Sequence, residues 1–466
     1  MNYIDNKKVL GLAVLFSPIF YNYFFRLIPR ESRNLAFDNP DFINIGLSSI
    51  FFIFLLFVGY QIKISLNLPN ISISIVLYLF SFFIFDSYFL FITKMFNLKV
   101  VFLFINFIWI LIFLLNKKTS RTQIIFFFLI FYFLREFTFE HLFNNFELSP
   151  KTYTVPDETE VWIPVTKNIF SNNYFYGLET ITHNGYGLLI AYINSITTIL
   201  FYKSSVFSFF PFIKNVFYFL TLLFIYEIKG SSISKVVFSS VLTIVTLNSH
   251  WFRYLFFNSM MLESGVSYFF GVILYSFGIA KSKKEKHIFS LLLGFLFFSK
   301  QFIATLAILY LIYLFIKKDI KIISLIIGLS SILIAVINSF LLKIDMTWST
   351  YFVFFNSTPT AHRQRSVNLE NIFNIVNQFL IDKPLSYFLL ILFLLFLINS
   401  KINYFQYNKL VNLILLNTFL VFILYIFIWT DVEYGSSYRY LMNIFHLIIP
   451  ISINSIDNFI LNKVKK

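Results

Sequence analysis

Residues 50–59 read IFFIFLLFVG, an uncharged run that is apolar on every face, whether it is wound as a helix or drawn out as a strand. A strand of a membrane barrel would alternate apolar and polar residues over about ten positions, and this stretch does not. Working outward, apolar stretches of about 18 to 23 residues recur along almost the whole chain, each long enough to cross a hydrocarbon layer of ~30 Å as a helix. The expected fold is therefore all-α: a polytopic transmembrane helical protein. Composition agrees. Of 466 residues, 58% are hydrophobic and 13% are charged, against about 25% charged in a typical soluble domain.

Cysteine is absent, which removes disulfides, a thiolate nucleophile and thiolate metal sites. The net charge of +15 lies in short basic clusters between apolar segments. That pattern sets membrane orientation and argues against a nucleic-acid partner. The 68 phenylalanines accompany abundant Ile, Asn and Lys at the expense of Gly and Ala. Such a bias affects the whole chain, so aromatic abundance marks no site. The start, MNYIDNKK followed by Val9–Phe25, has the basic lead of a signal sequence but no small-x-small cleavage site, and Pro18 interrupts its apolar run. It reads as a retained first helix.

Three regions follow from the pattern. Residues 1–142 hold five spans, near 9–25, 42–61, 71–93, 98–115 and 123–142. Residues 143–205 form an acidic extracytoplasmic loop carrying short helices, with Leu188–Phe201 as a helix packed in or beside the membrane. Residues 206–466 hold spans near 206–226, 233–248, 260–280, 287–299, 302–316, 322–342, 385–400, 409–429 and 440–458, with an outer loop at 343–384.

Each true crossing swaps sides, so the basic clusters check the count. Lys7/Lys8, Lys117–Arg121, Lys281–Lys286, Lys317–Lys321, Lys401/Lys409 and Lys463–Lys466 all fall on the cytoplasmic side when Leu188–Phe201 does not cross. The result is about 14 spans in the plasma (inner) membrane with both termini cytoplasmic. Arg26, Arg30 and Arg33 fall outside and run against the trend.

This topology gathers the unusual polar residues on the outer face: Asp157, Glu158, Glu160, His183, Glu263, Lys300, Asp431, Glu433 and Arg439. Ionisable groups near hydrocarbon are functional candidates by default. Asp157 follows Pro156 and either caps a helix, with Glu160 completing a capping box, or accepts a proton or holds a divalent cation such as Mg or Mn. His183 opens THNGYG and is either incidental or a binding group. Lys300 in FFSKQF is either a solvated hairpin turn or a cation that grips phosphate. Arg439 either snorkels or binds an anion. A Walker loop, a G-x-S-x-G elbow and a dinucleotide fingerprint are absent.

Four segments taken in order resemble the GT-C class of polytopic membrane glycosyltransferases. They are PDETEVWIPVTKNIFSNNYF with HNGYGLLIAYI, FFNSMMLESGVSYFFGVIL around Glu263, LLLGFLFFSKQF ending near Lys300, and SSYRYLMNIFHLIIP around Arg439. The likeness covers roughly residues 150–455. It implies an enzyme that takes a sugar from a polyprenyl-phosphate carrier and passes it to a hydroxyl of a glycan, lipid or protein at the extracytoplasmic face. In that scheme Asp157 is the general base or holds the cation, and Glu158 supports it. Lys300 and Arg439 neutralise the departing phosphate, while His183 and Glu263 line the substrate site. The five leading spans are similar to those of bacterial surface-polysaccharide proteins. The other readings are an O-antigen polymerase or ligase, and a transporter or flippase of lipid-linked sugars, which would also place ionisable residues at mid-membrane depth.

Overall fold

The computed structural model describes residues 42–89, 98–116, 120–133, 189–201, 210–248, 263–299, 301–342 and 445–464, together with Thr166 and Ile169. Among these residues every regular element is helical. In chain order they are α1 (Phe42–Leu66), α2 (Ile71–Tyr88), α3 (Leu98–Leu115), α4 (Arg121–Phe133), α5 (Leu189–Phe201), α6 (Phe210–Glu227), α7 (Ser232–Asn248), α8 (Glu263–Ile279), α9 (Lys283–Phe295) with a 3-10 turn at Leu296–Phe298, α10 (Gln301–Ile316), α11 (Ile322–Leu342) and α12 (Phe445–Val464). Two stretches, Ser48–Leu66 and Ile71–Tyr88, are long and apolar enough to cross a membrane.

Four short turns fold these helices into hairpins, α1–α2, α6–α7, α8–α9 and α10–α11, and α3 packs against α4. Hydrogen bonds chain the four turns and the end of α3 together at one end of the bundle. Asn116 Nδ2 at the α3 end donates to Ser65 Oγ at the α1 end over 2.9 Å. Glu227 at the α6 end accepts from Ile71 and Ser72 at the start of α2. The Lys229 amide donates to Tyr275 OH near the α8 end over 3.0 Å. Lys286 Nζ donates to the Asp319 carbonyl of the α10–α11 turn over 2.6 Å. Asp457, late in α12, accepts from Ser231 of the α6–α7 turn over 2.8 Å, so the end of α12 joins the same layer.

Local sequence explains where these helices start and stop. Asn67 takes φ 56° after α1, and the Leu68 amide reaches back to the Lys63 carbonyl over 3.0 Å. That left-handed stop is one that Asn tolerates. Ser282 and Glu285 form a capping box, so α9 begins at Lys283, ahead of the 287 read from apolarity alone. The apolar window cannot register a helix whose first turn is lysine-rich.

The helices are apolar on the outside as well as the inside. On α3, Leu103, Phe104, Phe107 and Leu115 are exposed; on α4, Ile125, Phe126 and Leu129. On α11 the usual order is reversed. Its buried face carries Ser324, Gly328, Ser331, Ala335 and Asn338, while Ile322, Ile323, Ile326, Leu333 and Ile337 are exposed. Small residues at this spacing let two backbones approach closely. A Cβ on Gly294 of α9 would strike the Gly328 carbonyl, and one on Gly328 would come within 2.9 Å of the Ser290 carbonyl. A water-soluble bundle would turn a polar face outward.

Candidate functional site

Two polar centres lie in the turn layer. Glu227 Oε1 accepts from the Ile71 amide at 2.5 Å, while its Oε2 accepts from the Ser72 amide at 2.8 Å and Ser72 Oγ at 2.6 Å. The first amides of a helix have no intrahelical partner, and they carry the positive end of its dipole. A carboxylate from a helix 155 residues away satisfies two of them, and Asn70 Oδ1 takes a third from Ile73 at 2.8 Å. Asp457 treats α7 in the same way, accepting from the Ser231 amide and from the hydroxyls of Ser231 and Ser234. Both carboxylates hold helix starts in place, each accepting three hydrogen bonds there.

A third centre is wholly buried. His446, in the first turn of α12, is fully covered. Its Nε2 lies 2.7 Å from Thr221 Oγ1, and its Nδ1 2.8 Å from Ser267 Oγ. The Nε2 proton can be assigned by counting. Thr221 gives its only hydroxyl proton to the Phe217 carbonyl at 2.7 Å, so Nε2 must be the donor in its pair with Thr221. Ser267 Oγ accepts the His446 amide at 3.1 Å and pairs with Nδ1 at 2.8 Å. Both ring nitrogens of the imidazole are thus satisfied. It clamps α12 against α8, where a Cβ on Gly271 would meet His446 at 2.5 Å. This is a structural histidine.

The end away from the turns differs. Asp86, two residues from the end of α2, is 1% exposed in a helix with no other ionisable carboxyl or basic side chain. The residues beside it in α2 meet three other parts of the chain. The Ser87 carbonyl accepts from Asn338 Nδ2 of α11 at 3.1 Å, and Tyr88 OH pairs with Ser330 Oγ at 2.6 Å. Phe83, one turn earlier, packs edge-on against Phe298 of the 3-10 turn and Tyr192 of α5, at 5.0 and 5.2 Å between centroids. Tyr192 OH donates to the Phe82 carbonyl at 3.3 Å, and Ser195 of α5 donates to the carbonyl of buried Thr166 at 3.1 Å.

Asp157, Glu158, His183, Lys300 and Arg439 lie outside the described residues, as does the side chain of Glu263, whose backbone opens α8. Their described neighbours fall on the end away from the turns. Glu263 starts the helix whose other end joins the α8–α9 turn, and Ser299 and Gln301 flank the junction of α9 and α10 opposite their turns. Phe445 begins α12 opposite Asp457. Thr166, nine positions after Asp157, reaches α2 through α5. Among the described residues no group of three His, Asp or Glu side chains is arranged to hold a metal. Sequence reading passed over Asp86, although a carboxylate inside FSFFIFDSY was itself the signal. It also passed over His446, which sits in a segment read for its arginine.

No family model, no curated protein and no solved structure matches the chain.

Proposed function

We propose that the chain is an integral membrane glycosyltransferase of GT-C type, with about 14 spans and both termini cytoplasmic. It moves a sugar from a polyprenyl-phosphate carrier to a glycan, lipid or protein hydroxyl at the extracytoplasmic face. The observation that carries this reading is the separation of the two ends of the bundle. The short turns and their lysines lie together at one end, and the described neighbours of the four motif segments lie at the other. The outward apolar faces and the inverted patterning of α11 support a lipid surround. A transporter would carry charge at mid-depth, yet every described Asp, Glu, Lys and Arg lies within about two turns of a helix end.

In this reading the acceptor oxygen forms its bond to the anomeric carbon as the carbon–phosphate oxygen bond breaks, with inversion. Asp157 takes the hydroxyl proton, or holds a cation that lowers the energy of the attacking oxygen. Glu158 orients it. Lys300 and Arg439 stabilise the charge gathering on the departing lipid phosphate, the kind of electrostatic contribution that is largest in most enzymes. His183 and Glu263 hold substrate hydroxyls or phosphate.

The test is the mass profile of surface and lipid-linked glycans in a deletion strain. The native gene is expected to restore one missing sugar unit, and an equally expressed Asp157→Asn protein to leave it missing. Restoration by Asp157→Asn would remove the catalytic assignment.

A further inference from the structure

The most concentrated charge on the described surface lies where the α8–α9 and α10–α11 turns meet. Lys281, Lys283, Lys284 and Lys286 come from the first turn, and Lys317, Lys318 and Lys321 from the second. The bond from Lys286 Nζ to the Asp319 carbonyl joins the two turns, so the lysines form one patch. The two carboxylates among them are Asp319 and Glu285, whose Oε2 accepts from the amides of Lys281 and Ser282, and seven lysines against two carboxylates leave the patch strongly positive. Lys317, Lys318 and Lys321 are exposed. Directly along the helix axes from them, α10 exposes Ile312, Phe315 and Ile316, and α11 exposes Ile322, Ile323 and Ile326. A cationic rim above exposed apolar side chains on two packed helices has the chemistry of a phosphodiester joined to two acyl chains. Inward-facing Ser324 and Gly328 keep α11 pressed on α9, so its apolar side chains face outward.

We infer that the α10–α11 hairpin is a seat for an anionic phospholipid, its phosphate held by Lys317, Lys318 and Lys321 and its chains lying along the exposed isoleucines. The inference rests on the membrane reading above, and goes beyond it by naming a site and a ligand class. A basic residue near an anionic lipid surface is worth roughly fivefold in affinity, so three together give about a hundredfold preference over a zwitterionic lipid.

The experiment uses the full chain, purified in detergent and exchanged into nanodiscs of phosphatidylcholine with or without phosphatidylglycerol. Native mass spectrometry reads retained lipid, and thermal melting reads its effect. The expected result is selective retention of phosphatidylglycerol with a raised Tm, both lost in the triple variant Lys317→Gln/Lys318→Gln/Lys321→Gln. The control variant Arg121→Gln/Lys229→Gln, which removes two exposed charges outside these two turns, is expected to keep both. Equal retention of the two lipids, an unchanged preference in the triple variant, or an equal loss in the control would each overturn the inference. Displacement of the lipid by inorganic phosphate would also overturn it, in favour of a soluble-anion site. Recovery of the chain without detergent would instead overturn the membrane reading itself, so the two failures are distinguishable.

Discussion

Glu227 and Asp86 meet the same helix at its opposite ends. Glu227 lies against the first turn of α2, where the dipole welcomes an anion and three donors converge on the carboxylate. Asp86 lies in the last turn, where the dipole repels an anion, and it is the more buried of the two. One carboxylate is where stability asks for it; the other is where stability argues against it. A carboxyl group buried at the unfavourable end of a membrane-compatible helix is a functional candidate.

The comparison fails or sharpens on substitution of each residue in turn. The largest effect is expected on function. Asp86→Asn should lose the glycan unit as completely as a substitution in the acidic loop, while its melting stays within about 1 kcal/mol of the parent, because the neutral amide is no worse placed in that last turn. A restored glycan profile would make Asp86 a structural group. Next in size is Glu227→Ala, which strips the start of α2 of its external acceptor. Hydrogen bonds to a buried charged group contribute about 1.5–3 kcal/mol each, net of the bonds to water they replace, and Glu227 is only half-buried, so water takes over part of the contacts and a loss of about 2–4 kcal/mol is expected. The lowered Tm should come with a normal glycan profile per folded molecule. A selective loss of activity would place Glu227 in the working part of the protein and dissolve the contrast between the ends.

The sequence shows helix existence far better than helix partnership, and the reason is physical. Apolar run length reports desolvation along one segment, and α3, α10 and α11 begin and end within a residue or so of the limits it suggests. The start of α9 was hidden because a capping box stabilises a first turn that is mostly lysine. The inverted face of α11 was hidden because run length counts apolar residues without asking which way they point. The clasp of Glu227 on Ile71 and Ser72 joins positions too far apart in the chain for local periodicity to record. The candidate residues Asp157, Lys300 and Arg439 stand out in the sequence as residue types on one side of a parity argument, and they lie outside the described residues. Asp86 is a carboxylate inside an apolar span, and run length alone does not separate it from the more numerous polar residues of the loops.

The smallest effect concerns His446, and it limits how far the contrast between ends extends. Buried polarity outside the turn layer is not by itself a mark of function, since both ring nitrogens of His446 and both of its hydroxyl partners are accounted for. Thr221→Val keeps the side-chain shape, but leaves the Nε2–H without an acceptor inside a fully covered contact between α6 and α12. An unsatisfied buried donor costs about 1–3 kcal/mol, and the lower part of that range is expected because the helix clamp also rests on the close approach at Gly271. Melting of the purified variant measures this directly, and complementation should restore the glycan profile in full. Loss of the profile with unchanged melting would transfer His446 from the clamp to the chemistry. The working region would then extend inward along α8 from Glu263 to Ser267, the serine that holds the imidazole.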